Sequence, residues 1–525
     1  MRVTCRWDRS AVCPSTQRGT GKGLLLLGAA TFAGYCALLA LFRARSFGLI
    51  PTHVLDRAPA LGRVADFITP DSLLTAPGRS ELGTVNAALY ALLVVGLVAA
   101  WLACLWLVRR ARGPSLGWIV VGAACFCLPL LWLPGVFSTD LGLYMFYGRM
   151  IAVYGENPIL AAPIEIVGDP AVGWANWKHL PSAYGPVWLL FSGALSTVAG
   201  GDLVTNILVY KTAAVVLHCL TTVVVWAVLR QTRPQIAVWG AVFYGWNPLV
   251  LFETVGHGHN DVMVAFFLVL ALLAAARRTW LLAVVCLIAG AMVKVYVLVL
   301  LPLLVLAWLR TAPDARSRGK AVLSAAAVAV ASVLLLYAPL GGGVALLRNV
   351  RDNPAATEYQ NSLWQLLIDR LARTSVGASP GVLTGRFDII RNLLFLLAFS
   401  LVARWLWKRG RVAAAWGLVW AAYCVCAAWI WPWYLVPLLA LAAVAGAGIM
   451  PALGAALTLG GLLYWLAGPT RGDGAAVWIY EYRAVLLFGP AAMTVLGILL
   501  RDRAGRLLRH GGSAVRVRRP VEGPI

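Results

Sequence analysis

Apolar runs recur along the whole of this 525-residue chain, at about 22–42, 84–108, 115–137, 203–229, 235–252, 262–276, 280–294, 296–309, 321–340, 389–407, 412–430, 434–450, 452–467 and 484–500. A helix that crosses a bilayer needs roughly twenty such residues, so runs at this density leave little choice of architecture. The expectation is an all-α polytopic membrane protein with about 14 transmembrane helices. Its 61% hydrophobic and 12% charged residues give too little polar surface to enclose a soluble core. The 51 glycines suit helices that must approach closely where water supplies no driving force.

The formal net charge of +23 does not point to nucleic acid, because the cations fall in short clusters between apolar runs. Arg109/Arg110/Arg112, Arg230/Arg233, Arg277/Arg278, Arg310 to Lys320, Lys408/Arg409/Arg411 and Arg501 to Arg509 fall on one side if the runs are spans. Positive loops mark the cytoplasm. Both termini are then cytoplasmic, the first run is a retained anchor, and the loops 43–83, 138–202, 341–388 and 468–483 are extracytoplasmic. This assignment treats Tyr184 to Ala199 as a surface or partly dipping helix, since its 16 residues are short for a span. It brings Asp140, the GHGHND run 256–261 and Lys294 to one face. Cys5 and Cys13 fall in the N-terminal tail, and the CFC and CVC pairs, 125–127 and 424–426, lie inside apolar runs and read as packing cysteines.

Asp140 follows the run 115–137 and opens the segment DLGLYMFYGRMIAVYGENP. As a helix, Leu141 to Val153 places Asp140, Tyr144 and Tyr147 on one side, with Met145, Phe146 and Met150 against lipid or protein. The carboxylate caps that helix or faces a substrate. Arg149 and, further along the loop, Trp174, Trp177, Lys178, His179 and Tyr184-Gly185-Pro186 suit either an interface belt or a site for a sugar and a phosphate. The GHGHND run with His257, His259, Asn260 and Asp261, preceded by Asn247-Pro248 and Glu253, is a second polar element between two runs. The two histidines and Asp261 offer a weak metal signal, the glycines a tight turn, and Asn260 or Asp261 partners for sugar hydroxyls. Lys294, inside an apolar run, either snorkels or meets an acid or phosphate. The WIWPWY stretch 429–434 lines a lipid groove or anchors at the interface.

The loop aspartate, the YGP turn, NP…GHND, the lysine one hairpin later and Pro432-Trp433-Tyr434 together resemble the GT-C glycosyltransferases. Within that superfamily they are most similar to the polyprenol-phosphate-mannose-dependent mannosyltransferases of actinobacteria, including α-1,6-mannosyltransferases. The resemblance covers about 115–310, with 311–500 as further helices and 501–525 as a basic tail of a single membrane domain. It implies a polyprenyl-phosphate sugar donor, a glycan or glycolipid acceptor, inversion, and Asp140 as general base. It further implies Asp261 as a site residue and Lys294, with Arg149, opposite the leaving phosphate. Tyr144, Tyr147, Lys178, His179, Tyr184, His257, His259, Asn260, Trp433 and Tyr434 complete the candidate substrate-binding set. Thr139 stands where the family carries a second acid, which weakens the case for a metal in this loop, and no cofactor is expected. Two other readings are consistent with the residues: a secondary transporter or flippase, and a structural subunit or ligase-like polymerase of envelope glycans.

Overall fold

The computed structural model describes residues 14–43, 79–110, 114–133, 137–173, 177–374, 380–446, 448–467 and 479–511. Cys5, Cys13, Trp174, most of the loop 43–83, residues 468–478 and the tail beyond 511 lie outside them. The described residues are mostly helical, without a strand. Two isolated bridges, Gln360 and Asn361 to Trp429, are the only extended pairing among them. The chain is an all-α polytopic membrane protein.

Among the described residues, six helices are long and apolar enough to cross a membrane: Gly21–Leu41, Ala87–Arg110, Leu203–Thr232, Ala315–Tyr337, Gly381–Arg409 and Arg483–Arg503. Their outward leucines, among them Leu323 at 72% and Leu335 at 74% exposure, suit a hydrocarbon solvent rather than water. The remaining runs form shorter helices, and several are interrupted. The run 235–252 breaks into Ala237–Gly245, Pro248–Leu251 and a π-helical turn Phe252–Gly256. Asn247 and Pro248 cause the break. The Asn247 carboxamide oxygen accepts from the Leu249 and Val250 amides at 3.0 and 3.1 Å, while proline at the first helical position needs no amide partner. Between the runs 280–294 and 296–309, the first helix stops at Ala291 and the next begins as a 3₁₀ turn Val295–Leu300, leaving Lys294 extended between the two.

The loop after the third run folds into two helices, Asp140–Ala152 and Pro186–Ala199, packed on each other and on Leu203–Thr232. Fourteen residues reach about 21 Å, short of the roughly 30 Å hydrocarbon layer, so Pro186–Ala199 does not cross a bilayer unaided. The crossing of these helices is close. A side chain at Gly148 would collide with the Tyr210 hydroxyl and the Ser192 carbonyl, so only glycine fits there. Gly185 is similarly confined by the Met292 carbonyl, and the Val187 amide donates to that same carbonyl at 3.1 Å. The YGP turn is thereby pinned beside Lys294.

A third layer comes from the loop 341–374, which carries the short helices Gly343–Asp352 and Leu363–Arg373. Asn349 donates to the carbonyls of Ile159 and Ser182, both at 2.9 Å, and Gln360 pairs its backbone with Ala428 and Ile430. These bonds draw the two long loops and the 427–434 stretch around one space.

Candidate functional site

That space is a cavity of about 560 Å³. Asp140, Tyr147, Tyr184, Lys294, Trp433 and Tyr434 line it, as do Trp177, Tyr296, Arg391 and Trp431. Of the polar groups read as sharing a face, Asp140 and Lys294 line this cavity, whereas His257, His259, Asn260 and Asp261 are buried and not part of its wall.

Asp140 opens its helix but does not cap it. The capping position is Thr139, and the Asp140 amide donates to Ser138 Oγ at 3.2 Å. This sets the capping reading aside. One carboxylate oxygen accepts from the Tyr144 phenol at 3.3 Å, and that phenol also reaches Asn260 Oδ1 at 3.3 Å. Tyr184 donates to the Tyr144 oxygen at 3.4 Å. With its side chain 20% exposed, Asp140 is the carboxylate open to the cavity. Burial pushes its carboxyl up to about 6, while the Lys294 ammonium pulls the other way. The group is thus poised to exchange a proton near neutral pH. Met145, Phe146 and Met150 are buried on the opposite side, as the helical spacing predicted.

Lys294 does not snorkel. Its ammonium meets Asp261 Oδ2 at 2.6 Å, and Tyr296 donates to the other oxygen at 3.1 Å. The tyrosine rings of Tyr184 and Tyr434 stand 5.9 and 5.4 Å from the same cation. A buried charge needs a partner and hydrogen bonds to be tolerated, and these residues supply both. Asp261 opens the helix Asp261–Ala276 and is turned to Lys294, away from the histidines, which corrects the grouping of His257, His259 and Asp261 around one ion.

The histidines instead converge on Glu253. His257 Nδ1 lies 3.0 Å and His259 Nε2 3.5 Å from Glu253 Oε2, and Trp465 donates to Oε1 at 2.6 Å. His259 stacks on Trp433 with centroids 3.9 Å apart, and its Nδ1 faces Asp140 Oδ2 at 3.7 Å. Burial, followed by the neighbouring His257 and Lys294, holds His259 well below its usual range, so its ring is neutral. Gly258, at φ 79°, makes the reversal that returns His259 toward Glu253, a conformation glycine adopts without cost.

Three expected site residues lie elsewhere. Arg149 is spent on Asp169, donating from Nε at 2.9 Å and Nη2 at 2.7 Å, with Nη1 on the Gly201 carbonyl at 3.0 Å. Lys178 and His179 fall between the wall residues Trp177 and Leu180, but their own side chains do not line the cavity. The Lys178 carbonyl closes the loop by accepting from Ile164 at 2.8 Å. His257 sits one layer deeper than the wall. The sequence reading passed over Glu253 as a site residue, although its four-residue spacing from His257 is a helical-neighbour signal. It also missed Tyr296 and the cation Arg391, which is held by Asp388 at 2.8 Å.

Residues 60–310 match the family described as alpha-(1->6)-mannopyranosyltransferase, N-terminal domain. A probable alpha-(1->6)-mannopyranosyltransferase of Mycolicibacterium smegmatis is 27% identical over 238 residues, 43% of this chain and 41% of its own length. Alpha-(1->6)-mannopyranosyltransferase A of Corynebacterium glutamicum is 22% identical over 210 residues, 37% of this chain and 40% of its own. The Mycobacterium tuberculosis protein of the same name is 24% identical over 402 residues, 72% and 74% of the two chains. The first of these matches thus spans about two fifths of that relative's length. The chain resembles the actinobacterial alpha-(1->6)-mannopyranosyltransferases, and the stretch that matches their N-terminal domain is the one that supplies Asp140, Glu253, His257, His259, Asp261 and Lys294.

Proposed function

We propose that this chain is a glycosyltransferase that moves mannose from a polyprenyl-phosphate donor to a glycan or glycolipid acceptor on the extracytoplasmic face, with inversion. The observation that carries the reading is Asp140, a cavity-facing carboxylate with a raised pKa of about 6, beside the Lys294–Asp261 pair. Asp140 takes the proton of the acceptor hydroxyl as that oxygen attacks the anomeric carbon. Proton removal by a positioned base contributes about 10²–10⁴-fold. Lys294 faces the negative charge that develops on the departing lipid phosphate, where a fixed cation is most useful. Arg391, a second cation on the wall, adds positive charge to the same cavity. Tyr147, Tyr184 and Trp433 offer ring faces to the sugar, and Trp429 and Trp431 extend an apolar wall for the prenyl chain. The similarity to mannopyranosyltransferases supports the choice of sugar.

The test is transfer from polyprenyl-phosphate [¹⁴C]mannose to acceptor in nanodiscs, with glucosyl and arabinosyl donors alongside. Full transfer by Asp140→Asn sinks the base assignment, and absence of transfer from any of the lipid donors sinks the donor class. One observation favours a second reading, a transporter. Asp261 and Lys294 lie at the breaks of two interrupted helices, where transporters place coupling charges. Nanodiscs have no compartments, so product formation there separates the two readings.

A further inference from the structure

Glu253 is a buried carboxylate whose two oxygens are used unequally. Oε1 accepts a 2.6 Å hydrogen bond from the Trp465 indole, whereas two imidazoles turn toward Oε2. His257 and His259 are fully buried, and neither ring nitrogen of His259 has a hydrogen-bond partner. A buried imidazole with both nitrogens unsatisfied carries a desolvation cost that a native fold normally removes. Two buried imidazoles aimed at one carboxylate oxygen are what a single cation between them would explain.

From this the geometry points to a divalent transition-metal site, of the zinc class, held by Glu253, His257 and His259. The three ligand atoms lie within 4.8 Å of one another. An ion with bonds of about 2.0–2.2 Å in tetrahedral geometry separates its ligands by about 3.3 Å. The separations of 3.0 and 3.5 Å from Glu253 Oε2 bracket that value. Two nitrogens and one carboxylate oxygen select zinc-like ions over magnesium or calcium, which take oxygen donors.

The backbone is built for the cluster. The π-helical turn Phe252–Gly256 brings Glu253 beneath His257, and the positive φ of Gly258 folds His259 back onto them. Supporting contacts are also in place, since metal-bound ligands are ordinarily held from behind by a second ring of partners. Trp465 orients Glu253, Trp433 stacks on His259, and Asp140 faces the His259 nitrogen remote from Glu253. An ion on Nε2 leaves the proton on Nδ1, directed at Asp140, so His259 becomes a positioning residue for that carboxylate. Metal binding by these three residues requires no transferase activity.

The experiment uses the full chain, purified in nanodiscs through an affinity tag without histidines, stripped with chelator and reloaded with Zn²⁺ or Co²⁺. About one equivalent of tightly held metal per chain is expected by mass spectrometry, with visible d–d bands of a tetrahedral centre for cobalt. Glu253→Gln and His259→Ala should each lower retained metal at least tenfold, and Glu253→Asp should keep most of it. Wild-type protein that retains no metal, or cobalt-loaded protein without the visible bands, overturns the site, and this arm requires no variant to fold. Equal retention by wild type and Glu253→Gln overturns it as well.

Discussion

The helix Asp140–Ala152 carries a charge at each end, buried at Arg149 and open to the cavity at Asp140, and the two ends treat it oppositely. At the far end Arg149 donates from each of its three nitrogens to Asp169 or the Gly201 carbonyl, with the Tyr154 phenol adding a 2.7 Å bond to Asp169. At the near end Asp140 accepts one long bond from Tyr144, has no cation in contact, and faces the cavity. A buried charge already paired from every nitrogen has little left to offer a substrate, so the first pair fixes the loop. The carboxylate left under-satisfied is the one able to change protonation state. Burial alone does not mark a functional group, and unspent capacity does.

The largest effect expected from this contrast is on turnover. Asp140→Asn, which keeps the shape and removes the base, should lower mannosyl transfer by about 10²–10⁴-fold in nanodiscs, with an unchanged melting curve. Equal melting and equal rate would erase the distinction between the two ends. Arg149→Met should act the other way round. Stranding Asp169 without its partner costs about 3–5 kcal/mol for a buried pair, read as a lower midpoint in thermal or denaturant unfolding, whereas transfer per folded molecule stays within a few-fold of wild type.

Proton linkage gives a smaller effect at the near end. A base with a pKa of about 6 is ionised at pH 7 and mostly protonated at pH 5. The rate of the chemical step should therefore fall about tenfold from pH 7 to pH 5, and single-turnover transfer across that window measures it. A profile flat to pH 5 would mean that Asp140 is not the titrating base. Smallest of all should be Tyr144→Phe, which removes the phenol bridging Asp140 and Asn260. One hydrogen bond is worth about 1 kcal/mol, or roughly a fivefold loss in kcat/KM.

How far these residues could be read from sequence follows from the separation of their partners. Asp140, Tyr144 and Tyr147 were legible together because a helix places residues four and three apart on one side, whatever the rest of the chain does. Arg149 was misread because the acid that consumes it lies 20 residues away in an irregular loop, and no periodicity links them. Lys294 and Asp261 are 33 residues apart, and their pairing depends on two helix breaks meeting. Glu253 was close to legible through its spacing to His257. What hid its role was Asp261, the nearer acid in sequence to His259, which the start of a new helix turns away. Arg391, Trp465 and the 427–434 wall had no local signal linking them to Asp140, since they come from the other half of the chain.

The sequence by itself determined that this is an all-α membrane protein, because apolar runs of such length and number have no other stable arrangement. It also determined that Asp140 and its tyrosines share a helix face, a consequence of local geometry. Only the tertiary structure decided which charges are consumed and which remain available. That outcome is set by distances between segments remote in sequence, where a shift of one helical turn, about 5 Å, would exchange one partner for another.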